Sequence, residues 1–198
     1  MEKQDAVRNK ANLESSDLSE SDLSNADLSN ANLHEARLVS ADLSNANLQK
    51  ADLDLAKFGS AKMTGANLGG ASMCLADLRN ADLRNANLQT ANMYFAVLLG
   101  ADLGNADLSG ANLINANLSG ADLRGANFQN SLLTVSNLSG SNRIRAIQFI
   151  GSKSFGDFLD ILLFSSKLRD VDLDDAKYDV STIWPEGFDP ERFGAILE

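Results

Sequence analysis

The sequence repeats with a period of five residues over most of its length. From Leu13 to Leu138, every fifth residue is large and apolar, and 21 of these 26 positions are leucine. The residue two places earlier is Ala in 22 repeats and Ser in four, and the residue between the two is mostly Asp or Asn. A helix of 3.6 residues per turn would spread this pattern around its whole circumference, and a plain strand alternates with period two. The period therefore excludes both as the repeating element.

The five positions have distinct physical roles in an extended chain that turns repeatedly. Residues two apart point to the same side, so the Ala and the central Leu face inward while the Asp or Asn between them faces solvent. The other two residues are mostly polar or Gly, and such residues suit a corner. A small and a large residue alternate because two large side chains per face would overfill a narrow interior. One coil cannot hide its own leucines, so the pattern predicts a solenoid of stacked coils.

Several segments carry the signature of a known family, among them ADLSNANLQKADL, ADLRNADLRNANL and ADLSGANLINANLSGADL. They resemble the pentapeptide-repeat proteins, and the resemblance covers about residues 11–140. It implies an all-β fold, a right-handed quadrilateral β-helix with four pentapeptides, or about 20 residues, in each coil. The 26 repeats would then make six and a half coils, a rod about 31 Å long at about 4.8 Å per coil.

The regular repeats do not extend to either end of the chain, so we divide the chain into five parts. We interpret 1–10 as an N-terminal cap, 11–142 as the β-helix, 143–165 as a non-repeat insert, 166–180 as further degenerate repeats and 181–198 as a C-terminal capping tail. Apolar residues at helical spacing predict an amphipathic helix in the insert, with a hairpin as the alternative because RIRAIQFIG precedes it. The tail WPEGFDP resembles the tails of family members from photosynthetic bacteria.

Composition restricts the function classes. The net charge of -10 argues against a nucleic-acid-binding face and against binding to an anionic membrane surface. No apolar run reaches the roughly 18 residues of a membrane span, and the first residues contain no apolar leader segment. A single cysteine excludes an intrachain disulfide. We therefore expect a cytoplasmic protein without nucleic-acid or membrane partners.

The residues that could support catalysis are few. His34 is the only histidine and Cys74 the only cysteine, and both are expected at equivalent corners of the rod. A lone surface histidine without a recognisable nucleophile does not predict a catalytic triad, and a reactive thiol needs an activating base or cation. The sequence therefore predicts no enzyme, no cofactor and no metal site.

Acidic residues recur at intervals of 20 and form a candidate acidic stripe. Its members are Asp22, Asp42, Asp82, Asp102 and Asp122, with Lys62 in the remaining position. Some pentapeptide-repeat proteins are DNA mimics that bind type II topoisomerases, so the resemblance makes gyrase binding the alternative function. Residues 11–140 contain 14 acidic and seven basic side chains, whereas about 31 Å of B-DNA carries about 18 phosphates. The net charge of these repeats is therefore -7, less than half of the charge on such a length of DNA. This favours the simpler interpretation, in which Asp and Asn satisfy backbone donors.

One part of the repeat departs from its own polarity. A candidate interaction strip, called the apolar strip below, occupies positions that are mostly polar elsewhere; its members are Leu55, Leu75, Tyr94, Phe95, Val97 and Leu99. Exposed apolar surface of this kind is typical of a site covered by a partner or by another segment of the chain. The main prediction is therefore a non-enzymatic interaction or scaffold protein. Its partner would be another protein or a second copy of the chain, with the insert as an alternative cover.

Overall fold

Parallel backbone pairing between residues 20 positions apart organises the rod. The structure is a computed structural model that describes residues 3–128, 131–132, 177–178, 192 and 196–197. Four ladders of bridges begin with the pairs 17 and 37, 22 and 42, 27 and 47, and 32 and 52, and they continue to residues 117, 122, 127 and 132. Four pentapeptides thus separate paired residues. The right-handed winding and square cross-section implied by the resemblance stay predictions.

Each pentapeptide contributes a short extended face and a tight turn. The central Leu83 N–H donates to the carbonyl of Asp102 in the next coil (2.7 Å), and the N–H of Asp82 donates to Ala61 in the preceding coil (3.0 Å). Within the coil, the N–H of Ala86 donates to the carbonyl of Leu83 (3.0 Å), which closes the corner. The regular pairing lets the backbone satisfy its polar groups without long strands.

The core is a stack of inward Ala and Leu side chains. Leu83 is 0% exposed and Ala81 is 1% exposed, and the same alternation continues from Leu13 to Phe128. Phe58 and Phe128 are the largest fully buried side chains. The predicted inward positions are confirmed for the central residues from Leu13 to Phe128 and for the alanines from Ala26 to Ala126, whereas Ser16 and Ser21 are only half-buried. Each buried Leu contributes about 2 kcal/mol relative to an exposed one.

The corners depend on left-handed backbone. From residue 15 to residue 125, every fifth residue has a positive φ, and 17 of these residues are not glycine. The turn is further stabilised by the Asp or Asn of the face. Its side chain accepts a hydrogen bond from the N–H two residues later, as between Asp17 and Ser19 (3.1 Å) or Asn47 and Gln49 (3.2 Å). Because both residue types supply this acceptor, either one serves at the same position.

The ends of the chain differ from the repeats. Helix α1 spans Lys3–Arg8 and is followed by a 3₁₀ turn at Lys10–Asn12. Ala6 of α1 is fully buried in the core cluster. Near the other end, strand β1 (Lys177–Tyr178) pairs in parallel with β2 (Ile196–Leu197). The predicted insert at 143–165 lies outside the described residues, as do most of 166–180 and most of the tail. In the part of the chain that the structure describes, no helix has the length and apolar character to cross a membrane.

The inward and outward positions differ sharply in their expected tolerance of charge. We expect Leu83→Asp to abolish cooperative unfolding, because the carboxylate would lie unpaired in a narrow apolar interior. Asn85→Asp is the control, since Asn85 is an exposed corner residue and Asp also tolerates a left-handed backbone. Thermal unfolding followed by circular dichroism measures both variants. Similar melting of the two would show that the assignment of positions is wrong.

Candidate interaction surface

Three residues of the apolar strip occupy one corner in three successive coils. The N–H of Leu55 donates to the carbonyl of Cys74, and the N–H of Leu75 donates to that of Tyr94, each at 2.9 Å. These bonds place Leu55, Leu75 and Phe95 in register along the rod at the spacing of neighbouring strands, about 4.8 Å. Their exposed fractions are 39%, 53% and 44%. They form an apolar column on the edge of the rod.

The other three members extend from Phe95 around the coil. The ring of Tyr94 meets that of Phe95 edge to face, with centroids 4.6 Å apart and an interplanar angle of 88°. Val97 is half-buried in the middle of the next face, where its bridge partners are the polar residues Asp77 and Asn117. Leu99 lies at the following corner and is exposed. The strip is therefore L-shaped, with a column along the rod and a row around one coil, and Phe95 belongs to both.

The column residues are poorly suited to their own turns. The φ values of Leu55, Leu75 and Phe95 are 61°, 59° and 57°. A large side chain in the left-handed region costs about 1 kcal/mol or more, whereas Asn and Gly adopt it readily. Elsewhere the same positions are mostly Asn, Ser and Gly. These apolar residues are therefore not explained by the needs of the turn, and an observed strain of this kind points toward function.

The acidic stripe does form one ladder, but its carboxylates are engaged. Asp82 pairs with Arg84 (2.6 Å) and accepts a hydrogen bond from Thr64 (2.9 Å). Arg84 also lies 3.6 Å from a carboxylate oxygen of Asp102. Arg124 pairs with Asp122. The arginines thus offset much of the negative charge along the stripe.

The remaining carboxylates of the stripe serve the corners. The N–H groups of Ser24 and Ser44 donate to Asp22 (2.9 Å) and Asp42 (3.0 Å). Hydrogen bonds from Ser44 lower the pKa of Asp42. Lys62 lies between Asp42 and Asp82 in the ladder. This arrangement agrees with the structural interpretation of the Asp positions.

Cys74 is held in an environment that disfavours the thiolate. Its Sγ accepts a hydrogen bond from the side-chain amide of Asn92 (3.0 Å), and its N–H donates to the carboxylate of Asp54 (2.8 Å). Partial burial raises the pKa of the Cys74 thiol, and the negative charge of Asp54 raises it further. A protonated thiol is a poor nucleophile, so this geometry gives no support for a redox role.

His34 is less isolated than the sequence suggested. Its Nδ1 lies 3.8 Å from Oδ1 of Asp52, and its Nε2 lies 3.8 Å from Oε1 of Glu35. Asp54 occupies the same corner one coil later, so His34, Asp52 and Asp54 come together. Sequence reasoning placed His34 and Cys74 on one corner but missed the aspartate between them. The interval of 20 residues between His34 and Asp54 equals one coil, and it indicates that the two residues are neighbours.

Comparison of the sequence with known protein families agrees with the repeat pattern and the ladders. A family model of pentapeptide repeats matches in eight copies within residues 9–140, two thirds of the chain. The chain belongs to the pentapeptide-repeat family. Among curated proteins, none is significantly similar to it.

Solved pentapeptide-repeat proteins include relatives from cyanobacteria. HetL of Nostoc sp. strain PCC 7120, described as involved in regulating heterocyst differentiation, is 34% identical; the match covers 64% of this chain and 70% of HetL, with a TM-score of 0.37. Rfr23 of Cyanothece 51142 is 42% identical over 48% of this chain and 62% of its own, also with a TM-score of 0.37. QnrB1, a plasmid-mediated fluoroquinolone resistance protein, is 20% identical over 92% of this chain and 77% of its own, again with a TM-score of 0.37.

The strain in the apolar column can be measured by comparing two substitutions of Leu75. Leu75→Ala removes the large apolar side chain, but Ala is still unfavourable in the left-handed conformation. Leu75→Asn also removes the apolar side chain, and Asn adopts this conformation with much less strain. We expect the Asn variant to be more stable than the Ala variant by about 1 kcal/mol. Urea denaturation of both variants measures the difference. Equal stability would show that residue 75 is not strained.

The ion pair of Asp82 predicts a dependence of stability on pH. Hydrogen bonds from Arg84 are the main cause that lowers the pKa of Asp82 from 3.8 to about 2. A carboxyl group with a lowered pKa stabilises the folded state above its unfolded pKa, and the contribution disappears as the pH falls from 3.8 through 2.

We therefore expect Asp82→Asn to lower the free energy of unfolding at pH 6 by about 0.5–1 kcal/mol, a value that allows for solvent screening. The difference from wild type should shrink as the pH falls below 3.8 and should disappear only below pH 2. Urea denaturation across this range measures it. A difference that stays constant with pH would assign the effect to the neutral hydrogen bonds alone.

Proposed function

We propose that this pentapeptide-repeat protein is a non-enzymatic interaction module, a right-handed quadrilateral β-helix that presents the apolar strip to a protein partner in the cytoplasm. The observation that supports this most strongly is the apolar column. Three large apolar side chains are exposed at positions where the backbone favours Asn or Gly. Their left-handed backbone lowers the stability of the rod, and their exposed side chains gain little from packing within it. Contact with another molecule therefore accounts for them.

The composition of the strip suits an interface. Phe95 and Tyr94 combine in an edge-to-face pair, and aromatic residues are enriched at the energetic centres of protein interfaces. Covering the strip is favoured by about 25 cal/mol for each Å² of apolar surface removed from water. The hydrogen-bonded ladder fixes the backbone that carries these side chains before binding, which reduces the entropic cost of association.

Gyrase binding by an acidic DNA mimic is the weaker alternative. The five aspartates of the acidic stripe lie in one ladder, as mimicry requires. Against this, Arg84 and Arg124 pair with them and Lys62 interrupts the row. A gyrase supercoiling assay tests the alternative. Inhibition that is lost when the stripe aspartates are changed to lysine would favour mimicry over the apolar strip.

The interaction role is tested by a variant that should lose binding without losing stability. Leu75→Asn/Phe95→Asn removes two of the three residues of the apolar column and places Asn in two left-handed positions. We expect a melting temperature within a few degrees of wild type, because relief of strain offsets the lost apolar contacts. We also expect loss of self-association in light scattering, or of specific partners in a quantitative pull-down.

The control is Asn85→Ser/Thr90→Asn, which alters two exposed polar corners away from the strip. It should leave both oligomeric state and partners as in wild type. If the apolar-strip variant also keeps its oligomeric state and all its partners, the strip is not the interaction surface.

A further inference from the structure

A cluster of potential metal ligands lies on the same edge of the rod, toward its N-terminal end. One ligand atom from each of His34, Asp52 and Asp54 can be chosen so that all three lie within 4.8 Å of one another. Imidazole nitrogen and carboxylate oxygen are ligands that Zn²⁺ and neighbouring divalent transition metals accept. The cluster does not include any member of the apolar strip.

The backbone ladder determines the positions of these residues. The N–H of Leu33 donates to the carbonyl of Asp52 (2.8 Å), and the N–H of Glu35 donates to that of Asp54 (2.9 Å). These two bonds flank His34 and hold it in register with both aspartates. The three ligands therefore come from two adjacent coils whose relative position is set by the fold.

Asp54 is also held by contacts from the third coil. Its Oδ1 accepts hydrogen bonds from Ser72 Oγ (2.6 Å) and from the N–H of Cys74 (2.8 Å). Most repeats use their own Asp or Asn to accept the N–H two residues later. Residue 72 is Ser and has neither a carboxylate nor an amide oxygen. The N–H of Cys74 donates instead to Asp54 of the preceding coil. Outer hydrogen bonds that orient a carboxylate are typical of metal sites.

Acidic side chains are concentrated around His34. Glu14 lies one coil before it at the same corner, and Glu35 follows it directly. Within residues 3–128, no Lys or Arg lies within ion-pairing distance of Glu14, Glu35, Asp52 or Asp54. Elsewhere on the rod, basic residues pair with Asp17, Asp27, Asp77, Asp82, Asp102 and Asp122, although in the described residues Glu20, Asp42 and Asp107 have no such pair either. The carboxylates at this corner would attract a cation from solution.

We propose that His34, Asp52 and Asp54 bind one divalent transition-metal ion of the Zn²⁺ class. Three protein ligands leave a further position for water. Ligand atoms around tetrahedral Zn²⁺ are about 3.4 Å apart, so the His34 to Asp52 separation of 3.8 Å needs only a small side-chain movement. The ion cross-links two coils and stabilises the folded rod through linkage.

The single histidine makes the test direct. The Hε1 proton of His34 gives the only histidine signal of its kind in the ¹H NMR spectrum, and it reports on the proposed ligand itself. We expect Zn²⁺ to shift or broaden this signal saturably at one equivalent, to bind with micromolar affinity in calorimetry, and to raise the melting temperature. Mg²⁺ should do none of these at the same concentration, because imidazole is a poor ligand for it.

Four variants separate the proposal from non-specific binding. His34→Gln and Asp52→Asn should each weaken Zn²⁺ binding at least tenfold and abolish the rise in melting temperature. Asp42→Asn is the matched control, because Asp42 occupies the same repeat position on another face; Cys74→Ser tests the thiol as an alternative ligand. Both controls should bind as wild type does.

Melting without metal checks that each variant is folded. Unchanged calorimetric affinity in His34→Gln, loss of binding in Cys74→Ser, or an equal response of the His34 signal to Mg²⁺ would each overturn the proposal.

Discussion

The hydrogen-bonded register of 20 residues is the constraint on which the rest of the molecule depends. Each central Leu donates its N–H to the next coil and each face residue donates to the preceding one, as Leu83 and Asp82 do. Because a slip of one residue would turn the inward set outward, the core and the ladder enforce each other. The Ala and Leu alternation is therefore the packing counterpart of the backbone pairing.

This constraint leaves the corners and the face centres as the positions where the sequence can vary. A corner needs only a residue that tolerates positive φ and, nearby, an acceptor for one backbone N–H. Asn and Gly meet the first requirement without strain, and Asp or Asn meets the second. A Leu or Phe at the corner departs from these requirements, and for that reason Leu55, Leu75 and Phe95 are more informative than their hydrophobicity alone would suggest.

Much of this could be predicted from the sequence because the period of five assigns every residue to a role. The inward positions, the left-handed corners and the neighbours 20 residues apart follow from counting. Side-chain pairing does not, because it depends on rotamers and on residues in adjacent coils. The engagement of Asp82 by Arg84 and of Asp54 by Ser72 and Cys74 could not be obtained by counting. The two ends of the chain lack the repeat, so the period of five predicts nothing about their structure.

The two candidate surfaces use the same property of the rod in different ways. Stacked coils bring equivalent corners to about 4.8 Å from one another, which is close to the contact distance of large apolar side chains and within reach of a shared metal ion for His and Asp. Residues 20 apart in sequence therefore become immediate neighbours without any loop closure of their own. Along one edge, the chain changes from His34 and Asp54 to Leu55, Leu75 and Phe95 within four coils. A rigid scaffold with this spacing can place a polar site and an apolar site side by side while both use the same backbone.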